Sequence, residues 1–387
     1  MENMKKILFL VLIICSFIAL HIARAEEVAS ESMVVLPSAV SDDAVGESET
    51  FRAKVVEIVA EKEKTRENGS PYKQQNVKLR ALEGTWKNQD VYYYGIGDID
   101  VASGIDLRVG DAVMAQAMID DRGTQVFYVI EIVRSRIIYW LVGVFALVAI
   151  LVGRKRGWSA LISLIVTFLV IMKLIIPYIL AGYNPLLVSL IGSAIILFLV
   201  IYLHWGFTRK SHLAFGTLIL SLLITGLVSI LFVYLARLSG SSNEEVIYLV
   251  GITNTAIKYQ GLLLAGIIIG AAGVLDDVVI SQISLVEQLK EANPLMKTGD
   301  LIRKALTVGV DHISSMVNTL FLAYAGASLP LLMLFNLKQE PFLTLSSVIN
   351  NEMIATEIVR TLTGSIGLIL AVPIATIVAV RYLGAKI

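Results

Sequence analysis

The chain has 387 residues, a mean hydropathy of +0.75, 56% hydrophobic residues and only 17% charged ones, against roughly 25% in soluble domains. This excludes an ordinary soluble globule and reads as a polytopic membrane protein. Its 32 basic residues balance 32 acidic ones, so no net field recommends nucleic acid as a partner. The single cysteine, Cys15, excludes a disulfide framework or a cysteine-based metal site.

Lys5 and Lys6 precede an apolar run over 7–20, and Ala23-Arg24-Ala25 has the small-x-small form of a signal-peptidase site. Residues 1–25 read as a cleaved signal peptide, with an uncleaved anchor as the alternative. Residues 26–50 are acidic, small and Ser-rich, the composition of a disordered leader. Residues 51–135 differ. Phe51 to Val59 partly alternates and Asn76 to Leu82 alternates cleanly. Val91–Tyr94, Asp111–Ala115 and Val126–Ile130 are also strand-like. Turn signals separate them at Asn68-Gly69, Glu83-Gly84, Gly110-Asp111 and Arg122-Gly123. This pattern predicts a small closed β-barrel of the OB type, exported because it follows a signal peptide. Such barrels bind oligomers in some proteins, and a rigid cap or adaptor is the plainer role.

Residues 136–387 are the membrane domain. Apolar runs predict seven spans, at about 137–153, 158–181, 184–204, 212–236, 259–282, 311–336 and 356–382, each able to cross about 30 Å. Seven spans after an exported domain put the C-terminus in the cytoplasm. The charges agree: Arg154-Lys155-Arg156, Arg209-Lys210, Lys290, Lys297, Arg303, Lys304 and Lys386 fall in inner loops, as the positive-inside rule requires. Residues 246–260 read either as an outer extension of the fifth span or as a re-entrant piece, and 285–305 as an amphipathic inner loop containing Pro294.

Chemistry is sought where polar residues enter the spans. In the fifth, Gly266, Gly270, Gly273, Asp277, Ser281 and Ser284 share one narrow stripe at about 100° per residue, and Asp276 lies off it. Gly266 and Gly270 form a GxxxG pair, so these glycines are expected to admit a neighbouring helix. A carboxylate within a span is costly and marks an ion or solute pathway; the bland alternative is structural glue. In the sixth span, Asp311, Ser315 and Asn318 follow i, i+4, i+7. Asn318 and Asp277 are expected at one depth, roughly 7–9 Å inward of the midplane, where they can share a hydrogen bond or an ion. In the seventh, Glu357 and Arg360 stand at i, i+3 and can pair, as an interfacial ion pair or an outer gate. Lys173 is expected to snorkel outward, and Pro373 to kink its helix.

No metal or cofactor is expected. His21, His204, His212 and His312 have no zinc spacing, and no Walker-type phosphate loop occurs. Intramembrane aspartyl proteolysis by Asp277 and Asp311 is disfavoured by a depth difference of about 10 Å, so no enzyme activity is expected.

Residues 135–385 resemble the YibE/F-like family of bacterial membrane proteins. The resemblance is carried by the run from Gly270 to Ser284, by Asn318 to Pro330, by Ala355, Glu357, Ile358, Val359 and Arg360, and by Gly364-Ser365-Ile366-Gly367 with Pro373. The aspartate matching the family's motif is Asp277; Asp276 stands where the family usually has an apolar residue. The resemblance implies a multi-spanning, permease-like fold in a bacterial inner membrane and no particular substrate. A shorter likeness, Gly273 to Ile280, is similar to the Asp-Asp helix of proton-driven RND exporters and is an analogy only. Two functions follow as expectations. One is a secondary transporter or permease, coupled to a proton or cation through Asp277 and moving a small solute or ion. The other is a non-transporting assembly or sensory protein whose exported domain binds a partner. Beyond the lipid bilayer, a homo-oligomer or a membrane partner is open.

Overall fold

A computed structural model describes residues 49–65, 69, 71–96, 106–119, 123–242, 244–252, 257–337 and 344–383. The expected signal peptide and nearly all of the leader lie outside the described residues, as do Asn68, Arg122, Lys338, Glu340 and Lys386. The described residues form two compact units that divide between Val148 and Ala149.

The first unit contains five strands: β1 (Glu49–Thr65), β2 (Pro71–Ala81), β3 (Asp90–Tyr94), β4 (Ala112–Ile119) and β5 (Gln125–Ile132). They close into a barrel in the order β1-β2-β3-β5-β4. All pairs are antiparallel except β3 with β5, which meet in parallel at Tyr93 and Phe127. Alternation works as read: Phe51, Ala53, Val55, Val77, Leu79, Val113 and Ala115 point inward and are buried, while Lys78, Arg80, Tyr92 and Tyr94 point outward. The imperfect alternation of β1 has a physical cause. Register shifts at Val55/Glu57 and Ile58/Ala60 are bulges that turn the strand over. Beyond them β1 runs on to Thr65 against β2, carrying surface charges such as Glu61, paired to Lys73 at 2.7 Å. Trp86 closes the core, its ring 5.3 Å from Phe51 and 5.5 Å from Phe127.

The helices are α1 (Ser135–Gly153), α2 (Lys155–Leu180), α3 (Pro185–Trp205), α4 (Arg209–Leu235), α5 (Glu244–Ile252), α6 (Tyr259–Ala292), α7 (Thr298–Ala327), α8 (Leu329–Asn336), α9 (Leu345–Asn350) and α10 (Glu352–Leu383). Local chemistry sets their ends. Asn184 accepts from Leu186 N and Leu187 N ahead of Pro185, and Thr208 accepts from Ser211 N, as N-caps do. α2 contains one π-helical turn, Ile171–Ile175, and Lys173 stands exposed on it.

Six helices (α1, α2, α3, α4, α6 and α10) are each long and apolar enough to cross a membrane. The expected sixth span differs. α7 and α8 together would qualify, but they bend by 73° at Ser328. Pro330 in the first turn of α8 can neither donate to the preceding turn nor leave its predecessor freely helical. The segment 285–305 is also mostly helix rather than loop. α6 runs to Ala292, α7 starts at Thr298, and Lys290 Nζ holds the turn by donating to Pro294 O and Met296 O. α10 passes Pro373 as one helix.

α6 is the central element and packs on α3, α4, α7 and α10. Its buried side, including Ile268, Ala272, Leu275, Val279 and Ile283, joins Leu218 and Leu222 of α4 and Leu368, Val372 and Ala375 of α10 in the main core.

Candidate functional site

Asp276 and Asp277 lie just past the middle of the 34-residue α6. Asp277 is exposed, on the same open face as Gly266, Gly273 and Ser281; Ser284 is half-buried below them. Asp276, rotated about 100°, is half-buried beside Leu275 and Val279, and its Oδ1 is buried with no hydrogen-bond partner among the described residues. The two carboxylates therefore face different surroundings, one open and one at the margin of the core.

The glycine stripe does not pack as expected. A Cβ at Gly266 or Gly273 would meet nothing within 4 Å, and one at Gly270 would touch only the Tyr324 hydroxyl, at 3.4 Å. Among the described residues the stripe borders open space, because α6 buries its opposite side. Close helix approach is built elsewhere. Gly367 of α10 abuts Thr225 of α4, Gly192 of α3 abuts Ile175 of α2, and a Cβ at Gly309 of α7 would lie 2.6 Å from Val372.

Asn318 and Asp277 do not meet. α7 turns Ala305, Gly309, Ile313, Met316 and Leu320 toward the core. Asp311, Ser315 and Asn318 stand on its other side and are exposed. The facing direction was not legible in the sequence, since α7 carries a hydrophobic stripe and a polar stripe and the apolar one takes the core.

Glu357 and Arg360 do pair. Arg360 Nη1 donates to Glu357 Oε1 at 2.9 Å, and the side chains are 25% and 26% exposed. The Arg360 Nε is buried with no partner among the described residues. Tyr324 of α7 lies within electrostatic range of both charges.

Two groups escaped the sequence reading. Gln282, 3% exposed, donates its amide to Ala305 O of α7 at 2.9 Å and Thr376 Oγ1 of α10 at 2.7 Å, joining three helices at one point. A lone amide in an apolar helix was its signal. Thr217, Ser221, Thr225 and Ser229 form a fully buried hydroxyl stripe on α4; their i, i+4 spacing was visible in the sequence. Thr225 and Ser229 bond back to Ser221 O and Thr225 O. Among the described residues, no three His, Cys, Asp or Glu side chains gather as metal ligands.

The family described as YibE/F-like protein matches residues 141–385, well over half the chain. No curated protein and no solved structure matches.

Proposed function

We propose that this chain, which belongs to the YibE/F-like family, is a permease: a secondary transporter coupled to a proton or cation through Asp276 and Asp277. The observation that carries this reading is the carboxylate pair itself. Two adjacent acids stand near mid-helix in a membrane-length segment, one open and one with a buried oxygen that nothing among the described residues satisfies. Structural glue would be hydrogen-bonded; an unpaired carboxylate in a span is expensive and marks a pathway. Adjacent acids that interact titrate as a pair, so we assign them one shared coupling role. In this reading α7 and α8 form a broken sixth span, and α10 is the seventh. Residues 1–25 are a cleaved signal peptide, the barrel is OB-like and extracytoplasmic, and the C-terminus is cytoplasmic in a bacterial inner membrane.

The test is Asp277→Asn and Asp276→Asn, each scored for flux or growth phenotype beside the amount of protein in the membrane. Asp277→Asn should abolish coupled flux with normal insertion. Normal activity in both variants sinks the coupling role.

One observation favours the second reading, a non-transporting assembly or sensory protein. Tyr92 and Tyr94 stack on the outside of the barrel with ring centroids 6.4 Å apart, and Lys78 lies over Tyr92. Exposed aromatics of this kind suit a binding surface. Under that reading, Tyr92→Ala with Tyr94→Ala removes the phenotype and the two Asp→Asn changes do not.

A further inference from the structure

Arg360 is only half used. In the barrel, Arg52 shows what a committed guanidinium does: its Nε and Nη2 both donate to Glu83, at 3.0 and 2.8 Å. Arg360 instead gives Glu357 its Nη1 alone, and no acceptor among the described residues meets its Nε–Nη2 edge. That edge is the planar fork that matches a carboxylate with two parallel hydrogen bonds. A buried, unaccepted N–H on a charged group calls for a partner that the protein does not supply.

Its neighbours are polar or small. Tyr324 comes in from α7 and feels both Arg360 and Glu357. Its hydroxyl is the sole neighbour that a Cβ at Gly270 of α6 would find, and a Cβ at Gly364, one turn beyond Arg360, would meet nothing within 4 Å. The three charged or polar groups thus stand where α6, α7 and α10 come together, beside two glycines that keep the space clear.

We propose that Arg360 is the binding residue for the carboxylate of a small solute, with Tyr324 as a second donor and Glu357 as the internal carboxylate that holds the guanidinium when the solute is absent. This rests on the permease reading and names its substrate class: a small organic carboxylate. Glu357 holds Nη1 and leaves the other edge to the solute, but its charge repels a second carboxylate on the same guanidinium, so removing the Glu357 charge strengthens binding rather than disabling the site.

The test is equilibrium binding, independent of flux. The full chain, in nanodiscs of zwitterionic lipid only, is titrated with sodium acetate against sodium chloride at constant ionic strength, and the unfolding midpoint is followed. Acetate should raise the midpoint where chloride does not. In Glu357→Gln the half-effective acetate concentration should fall by about tenfold, as an interaction with a charged partner is released. Arg360→Lys should weaken the response and Arg360→Gln abolish it. If Arg360→Gln is poorly folded, the double variant Glu357→Gln with Arg360→Gln leaves no unpaired charge and should be equally blind to acetate. An acetate response that survives loss of Arg360, or its absence from both the parent and Glu357→Gln, overturns the site. An inorganic phosphate response in place of acetate also overturns it and points to a phosphate headgroup. Flux that depends on Asp277 with no acetate binding would sink this site alone. Acetate binding with normal flux in both Asp→Asn variants would sink the coupling role alone.

Discussion

The Gln282 amide lies 2.7 Å from the Thr376 hydroxyl, and the same nitrogen reaches Ala305 O at 2.9 Å. One side chain therefore ties α6, α10 and α7 together at the level where Gly309 lets α7 come closest. Thr376 donates its own hydroxyl hydrogen to Val372 O, so the chain of bonds ends on a backbone carbonyl. Interhelical hydrogen bonds of this kind average about 0.6 kcal/mol and reach about 1.7. The expected coupling between Gln282→Leu and Thr376→Val in a double-mutant cycle is therefore about 1 kcal/mol. Unfolding in mild detergent measures it, and additive effects would mean that the two side chains do not act together.

Gly309 and Gly273 should respond oppositely to added bulk. A Cβ at Gly309 would lie 2.6 Å from Val372 and 2.9 Å from Gln282 Oε1; one at Gly273 would meet nothing. Gly309→Val should cost about 1–3 kcal/mol through overpacking, and Gly273→Ala should stay within about 0.5 kcal/mol of the parent. The same unfolding assay ranks them. A large loss at Gly273 would show that a second surface covers the stripe.

These two positions also show what the sequence could and could not disclose. Period-2 alternation placed the barrel strands because each strand has one wet and one dry face, and only the bulges of β1 blurred it. Apolar runs located the membrane helices because lipid demands length and composition alone. Facing direction is another matter. Gly266, Gly270 and Gly273 carry the small-residue spacing of an interface, and so do Gly309 and Gly367; which set is used depends on which side chains fill the facing helix, such as Val372 and Thr225. α7 could equally have buried Asn318. It buries Ala305 and Gly309 and half-buries Met316 because they complete an apolar core that Val372 and Leu275 have begun. The break at Ser328 was readable from Pro330, but an unbroken run of apolar residues on both sides concealed it.

The barrel carries its own pH response. Asp90 is held down to about 2, chiefly by the Arg80 guanidinium and then by the Lys78 ammonium, which lie 2.8 and 3.0 Å away. Its folded value is below the ordinary 3.8, so its contribution is fully present above about pH 4 and is lost as pH falls toward about 2. Hydrogen exchange of β2 and β3 amides in the full chain should show protection falling through that window. Asp90→Asn should flatten part of the fall; an unchanged profile would remove Asp90 from the account.

Topology distinguishes six crossings from seven. If the bent pair α7 and α8 crosses as one span, a reporter fused after Ile387 and one inserted near Gly69 report opposite sides of the membrane. If α7 and α8 stay on one side, six crossings return the chain to the side where the barrel began, and both reporters agree. Opposite sides is the expected result, because the basic residues Arg381 and Lys386 at the far end of α10 belong inside and the acidic Glu352 at its start belongs outside under the positive-inside rule.

Asp276 offers the sharpest separation of function from structure. Its Oδ1 is buried and unsatisfied, and Leu275, Val279 and Ile283 of the same helix are core residues. A group that served stability would be hydrogen-bonded there, and replacing it would leave its partners stranded. No such partner exists among the described residues, so Asp276→Leu removes an uncompensated polar group and adds apolar contact with a side chain of the same branching, its extra volume directed to the half-open margin. Even buried ion pairs are often replaced by well-packed apolar groups at no cost or with a gain of about 1–4 kcal/mol, and an unpaired carboxylate has less to lose. The expected outcome for Asp276→Leu is therefore an unfolding midpoint equal to or above that of the parent, together with loss of coupled flux, the trade between stability and activity seen where a site retains strain for its chemistry. A fall in the midpoint with flux retained would identify Asp276 as structural after all, and leave Asp277 to carry the coupling alone.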